Sequence, residues 1–404
     1  MNNVLQVGGI GAGRVFREGH VPVYAGLPDV QLTALYDPDR EAARQARDQY
    51  LALCAEDPAK TGAEVALCDS PEELLERVAV VDICSTVRWH AYYAAMALQR
   101  GIHAMTEKPM ARTWWEARHV ADVSRQSNAL FQLNDDNIFI PRYQALRHVI
   151  ESGMIGEPLS LRIVRGYPGS GRKAWFWDGL EAGGGGIMDY GAHAVASTWF
   201  LIGFDKRPAE IRSLRIQTKN RTRFIDGRLR PIEIDDDAHF KVRFSDPRNG
   251  DWITVNIEAT WTWPDWGRDG SDIRGHIEVE GSEGSVTGYV SDDDRDFLRV
   301  THRAFGERLL PIPSIHQEDE SFRDEIGNFL QCVRTGQPSM LNAEVGATVI
   351  QIINCAQLSE LRGRVSVTPA DLETFCREIA AGASSPWEAG DQIASALLAP
   401  YRLT

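Results

Sequence analysis

The sequence predicts an α/β protein in two parts: a doubly wound parallel sheet at the N-terminus, then an α+β domain with an open, mainly antiparallel sheet. Three observations predict it. Short apolar runs alternate with helical patterns through the first third, as βαβ units with right-handed crossovers require. The pattern turns strand-rich from Pro208 to about Val300. And 404 residues suffice for two domains, each with its own buried core.

Val4–Val7, Gln31–Tyr36, Val80–Ser85, His103–Thr106 and Leu130–Leu133 read as buried strands. Helical patterns fall between and after them at Val15–Ala25, Pro38–Leu53, Ser70–Arg77, Ala91–Arg100 and Thr113–Gln126. Pro141–Ser152 reads as a helix and Pro158–Gly166 as a strand. The glycine run Gly183–Gly186 opens a helix that ends near Gly203. His239–Phe244, Trp252–Trp263, His276–Glu280 and Ser285–Tyr289 alternate or are β-branched, with a hairpin turn at Gly281–Gly284. Phe322–Thr335 and Ala343–Arg362 are amphipathic. Thr368 before Pro369 is a helix start. The acidic run Asp292–Asp296 reads as a solvated turn. The expected domains are residues 1–140, 141–367 and a C-terminal helical extension, 368–404.

Composition is that of a soluble globular chain, 43% hydrophobic and 25% charged. A formal net charge of −14 argues against a nucleic-acid partner, which needs a basic face to displace counterions. No run of 18 apolar residues predicts a membrane span. Six scattered cysteines without a Cys-x-x-Cys pair fit reduced thiols, and no signal leader is visible, so the expected location is cytoplasmic.

The glycine turn Gly8-Gly9-Ile10-Gly11-Ala12-Gly13-Arg14-Val15 follows the first strand and opens a helix, the context in which backbone N–H groups meet a pyrophosphate. Phe16 stands where a third small residue is usual, and is expected to loosen helix–strand packing. Asp37 closes the second strand, 24 residues past Gly13, near the spacing at which a carboxylate binds ribose hydroxyls. It favours NAD; Arg40 keeps NADP possible. Lys108, in Thr106-Glu107-Lys108-Pro109-Met110, follows the fourth strand read from the sequence. A lysine there suits general acid–base work beside a cationic ring.

Asp189 and His193 follow the four glycines at i and i+4, which places them on one helix face. Imidazole titrates near neutral pH, and the carboxylate can orient it or hold a substrate hydroxyl. The glycines are expected to leave room for substrate; a flexible loop before a surface Asp–His pair is the competing reading. A metal site on the pair lacks further ligands nearby. Of the 11 tryptophans, Trp175 and Trp177 precede the glycine run, and Trp261, Trp263 and Trp266 sit on or after one strand. Aromatic faces suit sugar C–H faces, and Arg172, Lys173 and Asp178 could bond hydroxyls; filling the core is the alternative.

These motifs together resemble the Gfo/Idh/MocA family of nicotinamide-dependent oxidoreductases, which includes inositol dehydrogenases and glucose–fructose oxidoreductases. The match rests on the N-terminal glycine turn, Glu107-Lys108-Pro109, and the Asp189-x-Gly191-x-His193 signature after the glycines. Ile277–Ser285 and the Phe322…Glu325-Ile326…Phe329 segment leading to Gly336-Gln337-Pro338 support it, and it spans about residues 4–367.

The resemblance implies a Rossmann domain, an open antiparallel sheet domain, and an active site between them. It implies that Lys108 acts in proton transfer, Asp189 positions substrate and His193 is the acid/base partner. Ser85, Thr86 and His90 match the loop lining the nicotinamide pocket, and Glu107 its neighbour on the cofactor. Two departures touch the substrate side. Asp136-Asn137-Ile138-Phe139-Ile140-Pro141 lacks an arginine usual at position 138, and Ala196 replaces a frequent second aspartate.

The expected activity is NAD(P)-dependent oxidation of a secondary hydroxyl on a sugar, sugar derivative or cyclitol, in a homodimer or homotetramer joined through the open sheet face. The rivals are a glycosidase or lyase that oxidises C3 transiently, and a non-catalytic NAD-binding sensor.

Overall fold

The first apolar run forms β1 (Leu5–Ile10). It pairs in parallel with β2 (Val30–Tyr36) and β4 (Val80–Ile83). With β3 (Ala66–Leu67), β5 (His103–Glu107) and β6 (Phe131–Asn134) these make a six-stranded parallel sheet of order β3-β2-β1-β4-β5-β6. Strand order reverses beside β1, and right-handed crossovers then place helices on both faces. The computed structural model describes residues 4–55, 57–60, 62–169, 173–263, 274–290, 297–312 and 319–402. Five of the six strands match the sequence reading within a few residues. The sixth, β3, is two residues long and offers no periodicity to read.

The chain divides into two compact units. The first takes Met1–Ala111, Glu116–Asp136 and Gln317–Ala347; the second takes Arg112–Trp115, Asn137–His316 and Thr348–Thr404. Within the first, helix Asp319–Thr335 lays Ile326, Phe329 and Leu330 into the cluster that holds Phe16, Val21 and Tyr24.

Phe16 does not loosen the packing after the glycine turn. Its ring is fully buried and lies where a Cβ on Gly9 would be, so a glycine inside β1 makes the room. The segment Phe16–His20 is a π-turn that leads into α-helix Val21–Gly26, with Pro22 in its first turn. Proline lacks an N–H for the i−4 ladder, and the wider turn absorbs that loss.

The second unit is built on β7 (Pro158–Gly166), β8 (Arg207–Gln217), the hairpin β9 (Thr222–Ile225) and β10 (Arg228–Pro231), β11 (Asp237–Ser245), β12 (Trp252–Thr260), β13 (Arg274–Gly281), β14 (Gly284–Val290), β15 (Phe297–His302) and β16 (Gly306–Pro311). Eight of them form one sheet, β16-β15-β14-β13-β7-β12-β11-β8, antiparallel except for the β7–β12 pair. Alternation is clear. Phe240, Val242 and Phe244 face inward on β11, and Val255 and Ile257 on β12. Helix Gly186–Ile202 packs on that face, against β7, β11 and β12.

Thr368 caps helix Pro369–Ala380 in a capping box with Asp371. No helix among the described residues is long and apolar enough to cross a membrane. All six cysteines are free thiols. Asp292–Asp296, Trp266 and Arg172 lie outside the described residues.

Candidate active site

In the first unit, the parallel topology brings Gly11, Asp37, Ser85, Thr86, Glu107 and Lys108 to the carboxyl ends of neighbouring strands, where open α/β sheets bind ligands. Gly11 has φ +89°, and a Cβ there would lie 2.5 Å from the Cys84 carbonyl carbon and the Ser85 nitrogen, so only glycine fits. Beside Gly13 the Cβ direction is open, which is the side from which a phosphate can approach. Gly8 serves packing: a Cβ would meet Leu74 at 2.7 Å. Arg14 and Val15 are exposed just before the π-turn, and Arg14 pairs with Glu18. Asp37 ties the turn to β2: Oδ2 accepts from Ala12 N at 2.7 Å and Oδ1 from Asp39 N at 2.8 Å. Arg40 is engaged at the surface by Asp69. These residues fit a dinucleotide: a glycine-only turn, an open approach, and an oriented carboxylate at the ribose position.

The nicotinamide-side loop is held from behind. His90 is buried, with Nδ1 2.8 Å from Pro109 O and Nε2 2.9 Å from Ser85 O, so it links the two strand ends. Burial lowers its pKa, and the neutral ring donates to one carbonyl at a time. Thr86 stands at the start of helix Val87–Gln99, and the Ser85 hydroxyl donates to Thr86 O.

Lys108 is half-buried, directly after β5, and is joined to Pro109 by a cis peptide bond. Its neighbour Glu107 lies 3.2 Å from His20 Nε2, while His20 Nδ1 meets Asp82 at 2.7 Å and Tyr24 OH donates to the same Asp82 oxygen. Burial opposes charge on His20, but Asp82 and Cys84 outweigh it and raise its pKa well above the ordinary value. Behind Glu107, burial and then the Glu107 charge push the Glu325 carboxyl well up.

In the second unit, Asp189 and His193 lie one turn apart on helix Gly186–Ile202, as their spacing predicts. Asp189 Oδ2 accepts from Tyr167 OH at 2.9 Å and from Trp261 Nε1 at 3.1 Å. His193 is buried, its Nδ1 2.6 Å from Asn137 Nδ2, and Asn137 Oδ1 accepts from Arg165 at 2.9 Å. Arg165 lies over the Tyr190 ring.

The tryptophans divide by role. Trp261 is fully buried and bonds Asp189; Trp177 packs edge-on against it and under Arg223; Trp175 is half-buried, stacked on Phe176. Trp263 is half-buried beside Gly166, Lys173 is exposed, and Asp178 caps helix Gly179–Ala182. Ile138 and Ala196 are both fully buried.

The glycine run is not open space. A Cβ on Gly185 would overlap the Asp235 carbonyl oxygen, and one on Gly183 would lie 2.8 Å from Arg112 Cα. Gly183 also sits at φ +79°. The glycines let backbone pass close to backbone, and Asp235 fills the place of a cap: its carboxylate accepts from Gly185 N and Ile187 N, both at 2.8 Å. Sequence reasoning missed Asp235, Asn137 and Arg165 as site residues. Three consecutive aspartates, Asp235-Asp236-Asp237, were the one available signal.

Two family models match the chain. The oxidoreductase family with an NAD-binding Rossmann fold matches residues 5–135, and the GFO/IDH/MocA C-terminal domain matches residues 143–287. A D-glucoside 3-dehydrogenase of Escherichia coli (strain K12) is 29% identical over 204 residues, 50% of this chain and 54% of that one. The chain thus spans about half the length of that relative. A levoglucosan dehydrogenase of Pseudarthrobacter phenanthrenivorans is 25% identical over 351 residues, 77% of this chain and 84% of that one. A levoglucosan dehydrogenase solved in complex with NADH and L-sorbose superposes with a TM-score of 0.76 at 22% identity, covering 91% of this chain and all of that one.

Proposed function

Because the chain belongs to the Gfo/Idh/MocA family of NAD-binding oxidoreductases, we propose that it moves hydride between NAD and a secondary hydroxyl of a sugar, sugar derivative or cyclitol. The observation that carries the reading is the pairing of Asp189 and His193 on one helix face, with the carboxylate held by Tyr167 and Trp261. Such a carboxylate stays an acceptor, suited to a second hydroxyl of a polyol. Two relatives named for action on a glucoside and on levoglucosan favour the same substrate class.

When bound, NAD supplies the hydride acceptor at nicotinamide C4. The chain's own groups do the rest. Gly11 and Gly13 seat the pyrophosphate, and Asp37 takes the ribose hydroxyls. Ser85, Thr86, His90 and Glu107 shape the nicotinamide side. By the family resemblance, Lys108 is assigned to proton transfer, His193 to the role of acid/base partner, Asp189 to orienting the substrate, and Trp175 and Trp177 to its apolar face.

A panel of sugars and cyclitols with NAD, read as absorbance of reduced nicotinamide, tests this. NADH accumulation on a polyol is the expected result. Turnover of a glycoside without net NADH would overturn it in favour of transient oxidation and elimination.

Asp37 carries a cofactor prediction. Asp37→Ser removes charged acceptors worth roughly 1.5–3 kcal/mol, so the KM for NAD should rise on the order of tenfold or more while NADP becomes the better cofactor. An unchanged NAD/NADP ratio would remove Asp37 from the ribose site.

The reading also takes the chain as a homodimer or homotetramer. Leu214, Trp252 and Phe297 are exposed on strands of the eight-stranded sheet, each beside a buried residue of its own strand, and Leu309 is exposed on the edge strand β16.

A further inference from the structure

We infer that His20, Glu107 and Glu325 form a metal site in the first unit, suited to a divalent first-row transition ion such as zinc or manganese. The site is separate from the Asp189–His193 pair, which lies in the second unit.

Three elements of one unit converge there. His20 ends the π-turn Phe16–His20, Glu107 ends β5, and Glu325 lies on helix Asp319–Thr335. One ring nitrogen of His20 and one carboxylate oxygen from each glutamate lie within 4.8 Å of one another. His20 and Glu325 are fully buried. Glu107 keeps a small exposed edge, the side from which an ion can enter.

Orphaned atoms set this cluster apart from an ordinary acidic patch. Among the described residues, His20 Nε2 and both Glu325 oxygens have no hydrogen-bond partner. Nε2 lies 3.2 Å from Glu107 Oε1, close enough for a hydrogen bond but out of line for one. Buried polar atoms left in this state are costly unless a further group satisfies them. Ligand atoms about 2.0–2.2 Å from a tetrahedral ion stand roughly 3.4 Å from each other, and the Nε2–Oε1 separation is near that. The groups are spaced as ligands of a common centre, not as partners of one another.

The His20 ring is oriented for the same task. Asp82 Oδ2 lies 2.7 Å from Nδ1 and accepts from Tyr24 OH at 2.7 Å. A carboxylate only accepts, so Nδ1 carries the hydrogen and the lone pair of the neutral ring is on Nε2, toward the glutamates. Metal-binding histidines are commonly held this way, by a carboxylate on the far nitrogen. A proton is the rival occupant of Nε2, since Asp82 and Cys84 raise the ring's affinity for it; a divalent ion displaces it. Two glutamate charges are cancelled by such an ion, and Asp135 and Asp136 add negative field around Glu325. Cys84 Sγ lies 3.6 Å from Nδ1, on the Asp82 side of the ring, so the thiol is not a ligand. An imidazole among the ligands selects a transition ion over magnesium or calcium, which take oxygen. The ion fastens the strand end that carries Lys108 to the π-turn and to a helix from far along the chain.

Equilibrium dialysis of the full chain, stripped with chelator, against Zn²⁺ tests this without NAD or substrate, so its outcome is separate from that of the substrate panel. One equivalent should bind and resist excess Mg²⁺. Glu325→Gln keeps the shape and removes a charged ligand, so it should weaken binding roughly tenfold or more; Asp82→Asn should weaken it about 10–100-fold through the ring orientation. Co²⁺ in place of zinc should show d–d bands without thiolate charge-transfer absorption. No zinc bound to the wild type, binding unchanged in Glu325→Gln, or a thiolate band overturns the proposal. If a variant does not fold, anomalous diffraction from wild-type crystals grown with Zn²⁺ decides. A peak among His20, Glu107 and Glu325 is expected, and zinc found only elsewhere overturns the site.

Discussion

Replacing Lys108 by alanine should lower kcat/KM by about 10²–10⁴-fold, the range for loss of a positioned acid–base group, while NAD still binds. The separation of the two effects follows from how the loop is held. The residue before Lys108 is anchored by His20, and the residue after it is tied through its carbonyl to His90. Neither anchor uses the Lys108 side chain, so the cofactor edge should survive its loss. NAD titration followed by tryptophan fluorescence, beside steady-state rates on a responding polyol, separates binding from turnover. Lys108→Arg should fail almost as badly, because a guanidinium does not deprotonate near neutral pH. Retained turnover in either variant removes Lys108 from the proton path.

Asp235→Ala should destabilise the second unit by about 3–5 kcal/mol, because two buried N–H groups at the start of helix Gly186–Ile202 lose their acceptor together. Burial pushes the Asp235 carboxyl from an ordinary 3.8 up to about 6, against the pull of the Gly185 and Ile187 N–H groups. A raised carboxyl contributes stability that is present below pH 4 and lost as pH rises through 6. Over that window the group's contribution falls by roughly 3 kcal/mol. Asp235→Asn has no such titration. Its stability relative to wild type should therefore improve by about 2 kcal/mol between pH 4.5 and 7.5, read from urea unfolding at each pH. A difference that stays constant across that range would mean the carboxyl is not perturbed. The charge is a cost at neutral pH; the unsatisfied helix start is a larger one.

Much of the first unit was legible because its pattern is local. Apolar runs of four to six residues separated by helical periodicity predict a parallel sheet, and a glycine turn between strand and helix marks where a dinucleotide lies. Asp189 and His193 were legible for the same reason, since i and i+4 share a helix face. What escaped was set by contacts between distant residues. The β9–β10 hairpin carried an Asp226–Gly227 signal, and both residues have positive φ, but the strands are four residues each. Asn137 and Arg165 stand 56 and 28 positions before His193 and share no periodicity with it. The glycines at 183–186 signalled a special backbone, yet a sequence cannot say whether the missing side chains make room for a ligand or for Asp235. Phe16 has the same ambiguity until Gly9 is seen beneath its ring.

Helix Asp319–Thr335 belongs to the first unit, and this bears on the order in which the protein is made. Translation delivers the parallel sheet early, but Ile326, Phe329 and Leu330 emerge nearly two hundred residues after β6. Until then the nascent chain shows the apolar side of Phe16, Val21 and Tyr24 to water. The nucleotide-binding half is thus begun first and finished after the large sheet, and a ribosome-bound chain carries a sticky face that chaperones can recognise through most of its synthesis.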